Sequence, residues 1–362
     1  MNEGVETRLY FKHKRMPFVS EILKHKSLSI VGMEKNTGKT ECLNYIIGRL
    51  RDSGTRIAIT SIGIDGESVD QVTSTHKPEI EIYPGTMFIT SENHYRTRKI
   101  TSEILNISKQ STSLGRLITA RAQSQGKLIF SGPTSTMWIK DIIAEMQGYG
   151  SQLTIIDGAL SRKSLGSPSV TECMILSTGA AVSHDYKELT RKTKFVYSLI
   201  NIEAYESPAS DELLRTERGI WAIDGNNDVH DLGIDSTLLL ENKKDKLFEF
   251  GTTIFASGIV TDKVLNLLRM QKEIQNTTLI VKDFTRIFVT PESLYSYLSK
   301  GGKIKVLLRT KLIAVCVNPT SPSGYIMNSE KITTELSEAL NIPVYDVFKE
   351  RMKNGQWTIN NG

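Results

Sequence analysis

The segment "SLSIVGMEKNTGKTECLNYIIGRL" at residues 27–50 places the tightest constraint on this 362-residue chain. Its short apolar run, "LSIVG" (28–32), is the pattern of a strand covered on both faces. The chain then turns polar, passes through Gly38-Lys39-Thr40, and enters an amphipathic stretch that predicts a helix over 39–52. Strand, glycine-bounded loop and helix in this order are the parts of a phosphate-binding loop. The chemistry dictates the residue types. Backbone N–H groups of the loop and of the helix N-terminus take up the negative charge of phosphates. Gly38 lets the backbone approach closely, Lys39 reaches the terminal phosphates, and the Thr40 hydroxyl ligates Mg²⁺. Gly-Lys-Thr alone occurs often by chance, so the strand–loop–helix context carries the specificity. The candidate nucleotide-binding residues are Gly32, Glu34, Lys35, Asn36, Thr37, Gly38, Lys39, Thr40 and Glu41.

A nucleotide hydrolase also needs a second anchor for Mg²⁺ and a group that orients the attacking water. Asp65 in "SIGIDGE" and Asp157 in "LTIIDG" each follow a predicted strand. With Lys39 they are the expected catalytic residues, and with Thr40 the expected metal ligands. Asp-Gly is also an ordinary turn pair, which is the competing reading of both. Glu67 is a further candidate, and residues 63–76 are a candidate switch segment. "SGPTST" (131–136), "DGALSRKS" (157–164) and "STGAA" (177–181) lie at the ends of predicted parallel strands, where doubly wound sheets bind ligands. Arg162 and Lys163 in the second of these read equally as phosphate contacts or as a solvated basic loop. "ENKKD" (241–245) contains Asn-Lys-x-Asp, a guanine-reading pattern, but a charged turn after a strand produces it easily. Adenine is therefore taken as the base, and ATP and Mg²⁺ as the expected ligands.

Along residues 28–181 short β-rich runs alternate with helical patterns, which predicts an α/β fold with a mostly parallel, doubly wound phosphate-loop NTPase sheet. "EIEIY" (79–83) and "TMFIT" (86–90) flank Pro84-Gly85, a hairpin-like turn signal. After about residue 205 the polar stretch "ESPASDELLRTERG" reads as a linker. Further strands are expected at 252–258, 277–281, 303–308 and 312–319, with helices between them. The expected division is a nucleotide-binding domain over 1–205 and a smaller α/β domain over 206–362, a candidate partner-binding unit.

The net charge of +5, from 45 basic and 40 acidic residues, makes no case for nucleic acid. No run long and apolar enough for a membrane span is present, and the N-terminus lacks the apolar core of a secretory signal. Cys42, Cys173 and Cys316 are far apart, with no paired spacing for zinc, as expected of reduced thiols in a cytoplasmic chain. The six histidines form no cobalamin-binding Asp-x-His-x-x-Gly pattern.

The loop's first glycine is Gly32, one place before the ordinary position at Met33. It therefore resembles "GTDxxxGKT" of dethiobiotin synthetase, with Glu34 where that enzyme has Asp. That enzyme shares a wider class with signal-recognition GTPases, MinD-like ATPases and metallochaperones. The signature lysine of the MinD-like branch would fall at Glu34, and Lys35 stands one place off. The combination "VGMEKNTGKT", "TSIGIDGE", "HKPEI", "SGPTST", "IIDGALSRKS" and "TGAA" resembles the reactivase B subunit of lysine 5,6-aminomutase. The resemblance implies an ATPase that restores an adenosylcobalamin-dependent mutase by promoting exchange of damaged cobalamin. It implies two partners, a MutS-like reactivase ATPase subunit and lysine 5,6-aminomutase. Carried over by residue, Lys39 and Thr40 would bind phosphate and Mg²⁺, and Asp65 and Asp157 would complete the metal and water site. Two other functions share the loop. One is a dethiobiotin-synthetase-like ligase or kinase for a small molecule; the other is a nucleotide-sensing adaptor that turns over only with a partner.

Overall fold

The computed structural model of the chain describes residues 17–51, 53–62, 80–133, 135–159 and 170–349. They fall into two compact units. The first takes in the described residues up to 159, then 170–194 and 311–349; the second is 195–310. This corrects the expected single division at 205/206. The chain leaves the first unit earlier, and its C-terminal segment returns to it instead of completing a separate domain.

In the first unit, α1 (Pro17–Ile22), β1 (Ser27–Gly32), α2 (Lys39–Arg51) and β2 (Ile57–Ser61) come first. They are followed by β3 (Ile80–Ile82), β4 (Met87–Ser91), α3 (Glu92–Arg96), β5 (Ser102–Thr112), β6 (Gly115–Ala122) and β7 (Gly126–Leu128). Then come α4 (Thr136–Gly148), β8 (Leu153–Ala159), β9 (Cys173–Gly179) and α5 (Tyr186–Ile200), the helix in which the chain passes to the second unit. Among the described residues the main sheet has nine strands in the order β18-β17-β9-β1-β8-β2-β4-β6-β5. Its last members, β17 (Lys311–Asn318) and β18 (Val344–Tyr345), come from the returning segment with α9 (Ser329–Leu340) between them. Strands β18 to β4 run parallel, each to the next. Only β6 turns antiparallel to β4, and β5 to β6.

The strands explain the two helical layers. Side chains alternate across a strand, so neighbours serve opposite faces. Ile57, Ile59, Phe88 and Ile155 join Leu43, Ile46, Ile47 and Leu50 of α2 in one buried cluster. Their neighbours Ala58, Met87 and Ile89 pack on Ile142 and Met146 of α4, and Ile156 packs on Ile139 and Ile143. In α4 the positions 139, 142, 143 and 146 form one helical stripe. Glu41 in the first turn of α2 and Arg49 and Arg51 in its last turn complement the helix dipole.

One local expectation changes. The turn at Tyr83–Thr86 forms, with Thr86 N donating to Tyr83 O at 3.1 Å, but its flanking strands do not pair. Strand β3 pairs antiparallel with β7 in a separate two-stranded sheet against α2, where Glu81 N donates to Asn44 Oδ1. Strand β4 is buried along its whole length and enters the main sheet instead. The antiparallel β5–β6 extension carries little apolar alternation on its outer strand, which leaves Ile104 and Ile107 exposed at the sheet edge.

The second unit holds α6 (Ser210–Arg215) and a five-stranded sheet. Its strands are β10 (Ile220–Ile223), β11 (Val229–Ile234), β12 (Thr253–Ala256), β14 (Thr278–Val281) and β16 (Lys303–Val306), in the order β11-β10-β12-β14-β16. Here β12, β14 and β16 are parallel and β10 is antiparallel to both neighbours. Two-residue strands β13 (Val260–Thr261) and β15 (Ile287–Phe288) pair beside α7 (Asp262–Arg269) and α8 (Pro291–Ser299). The "ENKKD" stretch lies in a 3₁₀ segment of this unit, Thr237–Lys246. No helix among the described residues is long and apolar enough to cross a membrane.

Because β17 lies between β9 and β18, with Val315 and Cys316 buried, the first unit depends on a segment that follows the second. A chain ending at residue 310 is expected to lose cooperative thermal unfolding of the first unit, measured by circular dichroism. A first unit that still melts cooperatively would refute this dependence.

Candidate phosphate-binding site

Parallel strands deliver their carboxyl ends to one edge of the sheet. In the first unit these ends are Gly32 of β1, Ala159 of β8, Gly179 of β9, Asn318 of β17 and Ser61 of β2. The loop at 33–38 leaves β1 at the middle of this edge and enters α2 directly. Two of its residues adopt left-handed backbone, Asn36 at φ 61° and Gly38 at φ 86°. At Gly38 that conformation carries no Cβ penalty, and Asn is the other residue that tolerates it. The Lys39 side chain folds back across Gly32, so a Cβ added there would lie 2.8 Å from Lys39 Cδ and 2.5 Å from Thr37 Oγ1. This close approach is the physical reason for glycine at the end of β1.

Neighbouring strands brace the loop. Met33 N donates to Ser177 O at 2.9 Å, and Ser177 Oγ donates to Thr37 O at 2.5 Å. Thr37 is fully buried and its hydroxyl donates to Glu34 O at 3.0 Å. Its side chain therefore shapes the loop, whereas Glu34, Lys35 and Asn36 are exposed. From β17, Asn318 Nδ2 donates to Asn36 O at 3.2 Å, and Asn318 O accepts from Ala180 N at 2.9 Å. The "STGAA" stretch thus meets the loop. Asn318 meets it too, although the sequence reading assigned that residue to another domain. Its signal was present: "LIAVCVNP" is a continuous apolar run closed by turn residues, like the other parallel strands.

Asp157 lies on β8, beside β1, in register with Ile30 and Ser61. Ile155, two residues earlier, packs on the α2 side of the sheet. The period of two puts Asp157 on that face, the one over which Lys39 and Thr40 open α2. Asp65, Glu67, the proposed switch 63–76, Arg162 and Lys163 lie outside the described residues. The "SGPTST" stretch sits by β2 and β4, where Ser61 Oγ donates to Phe130 O at 3.2 Å and His94 Nδ1 lies 2.7 Å from the buried Ser131 Oγ.

Among the described residues no group of three or more His, Cys, Asp or Glu could hold a metal by itself. The donors present, a Thr40 hydroxyl and an Asp157 carboxylate, are hard oxygens that fit Mg²⁺ completed by phosphate and water. Beneath the loop, Cys42 Sγ and Cys316 Sγ are 3.5 Å apart and buried. The Cys42 contact and burial push the Cys316 thiol well above its ordinary range, and burial pushes Cys173 up to about 12. The Cys316 and Cys173 thiols stay protonated and serve as packing.

No protein-family model matches the chain, and no curated protein matches it. Among solved structures it is similar to the MinC:MinD cell division protein complex of Aquifex aeolicus. The similarity has 10% identity and a TM-score of 0.27, over 52% of this chain and 72% of that one. A likeness this shallow carries no argument about this chain.

Asn318→Ala removes the bond to the Asn36 carbonyl while leaving the strand backbone in place. The expected loss of stability is about 1 kcal/mol in urea unfolding, the usual net value of one such bond. A loss near zero would show that β17 does not brace the loop.

Proposed function

We propose that the first unit binds a nucleoside triphosphate at the loop 32–40 and hydrolyses it, ATP and water giving ADP and phosphate. The observation that carries this reading is the arrangement of Lys39 across Gly32 at the N-terminus of α2. A 13-residue helix begins at that lysine, so its first-turn N–H groups and its dipole open onto the loop that the lysine side chain crosses. An anion seated there meets fixed positive charge from backbone and side chain together.

In this reading Lys39 neutralises charge on the terminal phosphates as the bond to the leaving oxygen breaks. Fixed donors of this kind stabilise developing charge without reorganising. Thr40 and Asp157 would hold Mg²⁺, which supplies charge neutralisation at the phosphate oxygens. Asp157 also accepts hydrogen bonds from water on the α2 face, and Asp65 is proposed for the same surroundings from the sequence alone. Gly32, Glu34, Lys35, Asn36, Thr37, Gly38 and Glu41 complete the proposed loop site, with Thr37 contributing through its backbone.

The narrower role rests on the resemblance of the quoted strings. It is a reactivase subunit that acts with a MutS-like ATPase subunit on lysine 5,6-aminomutase in the cytoplasm, loosening the mutase so that damaged cobalamin is exchanged. Nucleotide can drive such release only through a difference in its affinity for two conformations. A small-molecule ligase or kinase is the second reading. The early glycine at residue 32 favours it, as does the polar His94–Ser131 pair on the same sheet edge, which could hold an acceptor.

Lys39→Ala is expected to lower phosphate release by 100-fold or more, about the cost of losing one charge-stabilising donor. Phosphate release from ATP and from GTP decides between the settings. Stimulation by cobalamin-inactivated lysine aminomutase plus the MutS-like subunit, with recovered mutase activity, is the result expected of a reactivase. Unchanged turnover in Lys39→Ala would remove the loop from the mechanism, and turnover indifferent to the mutase would remove the reactivase role.

A further inference from the structure

We infer that the facing rings of His184 and Tyr325 form the platform on which the base of the bound nucleotide stacks. The inference rests on the phosphate-loop reading and adds to it the place and the chemistry of the nucleoside end. The two rings have centroids 4.8 Å apart and planes 33° from parallel. His184 is exposed and Tyr325 is 46% exposed, so part of each ring stays open to solvent.

The surface is held in place. Ser321 N donates to Tyr325 O at 2.8 Å, Tyr325 N donates to the Ser321 hydroxyl at 3.1 Å, and Ser321 itself is buried. Thr320 and Ile326 form an antiparallel bridge, and Met327 N donates to Pro319 O at 2.9 Å. Residues 319–327 are therefore a small hairpin growing out of the end of β17. Its far root is fastened to the start of α5 by Asn328 N donating to the Tyr186 hydroxyl at 2.8 Å. His184 stands two residues before that anchor.

The same hairpin begins at the phosphate loop. Asn318, the residue before it, holds the Asn36 carbonyl and lies against Gly38, whose missing Cβ would be 2.8 Å from Asn318 Cβ. Ser321, the partner of Tyr325, lies three positions after Asn318, a reach of about 10 Å at most. The platform and the acid also lie on opposite sides of the loop. Asp157 is on β8, whereas the hairpin is on β17, beyond β9 on the other flank of β1. A triphosphate with its metal-binding end toward Asp157 directs its nucleoside end toward the hairpin. Stacking on aromatic rings tolerates any base, because every base has a π-face.

Calorimetric titration of the full chain with Mg–ATP and with Mg–tripolyphosphate tests the assignment, since only the first has a base. Tyr325→Ala and His184→Ala are each expected to weaken ATP binding about tenfold, in the range known for loss of one stacking ring, and to leave tripolyphosphate binding unchanged. Tyr325→Phe keeps the ring and is expected to keep the affinity. Equal ATP affinity in wild type and both alanine variants would overturn the platform. So would parallel losses for ATP and tripolyphosphate, which would report damage to the loop. A wild-type chain that binds neither compound, or a Lys39→Ala chain that binds tripolyphosphate as well as wild type does, would instead overturn the phosphate-loop reading beneath it.

Discussion

The lateral bracing of the loop by β9 and β17 is the interaction on which the rest of the site depends. A polar loop with two left-handed residues has little hydrophobic reason to hold one shape, and fixing each residue costs backbone entropy. Here the cost is offset by bonds from outside the loop. Ser177 accepts from Met33 N and donates to Thr37 O, while Asn318 donates to Asn36 O. Both braces come from strand ends on one side of β1. The backbone carbonyls of Glu34, Asn36 and Thr37 are each taken up by a hydrogen bond, while the side chains of Glu34, Lys35 and Asn36 stay exposed.

That bracing requires the sheet to be parallel across β17, β9, β1 and β8, because only parallel strands bring their carboxyl ends to one edge. Parallel strands in turn require cover on both faces. The alternation of Ala58 with Ile59, and of Ile155 with Ile156, divides the apolar surface between the α2 and α4 layers. The same alternation carries Asp157 to the α2 face. One period of two, continued past the end of the apolar run, therefore couples core packing to the position of the acid.

The second unit is inserted into this arrangement rather than appended to it. A segment leaves the first unit within α5 and returns at Lys311, so the first unit is complete only when the chain has passed through the second. A conformational change in either unit has two covalent connections through which to act. The second unit's own sheet, with three parallel strands and α7 and α8 beside them, is a separate core with its own buried Phe255 and Ile280.

What the sequence by itself determined is local. The strand–loop–helix of 27–51, the apolar runs of β8 and β9, the stripe of α4 and the residue types of the loop follow from periodicity, glycine placement and charge, which act within a few residues. The loop between β1 and α2 was legible for that reason. Only the tertiary structure decided the strand order, the return of β17 to the first sheet and the parting of β3 from β4. Only it brought Ser177 and Asn318 to the loop, 140 and 282 residues away from the groups they bond. The physical reason is that an apolar strand run specifies burial but not its neighbour. β17 reads the same whether it completes a C-terminal domain or closes the first sheet, and the choice is made by packing between distant segments.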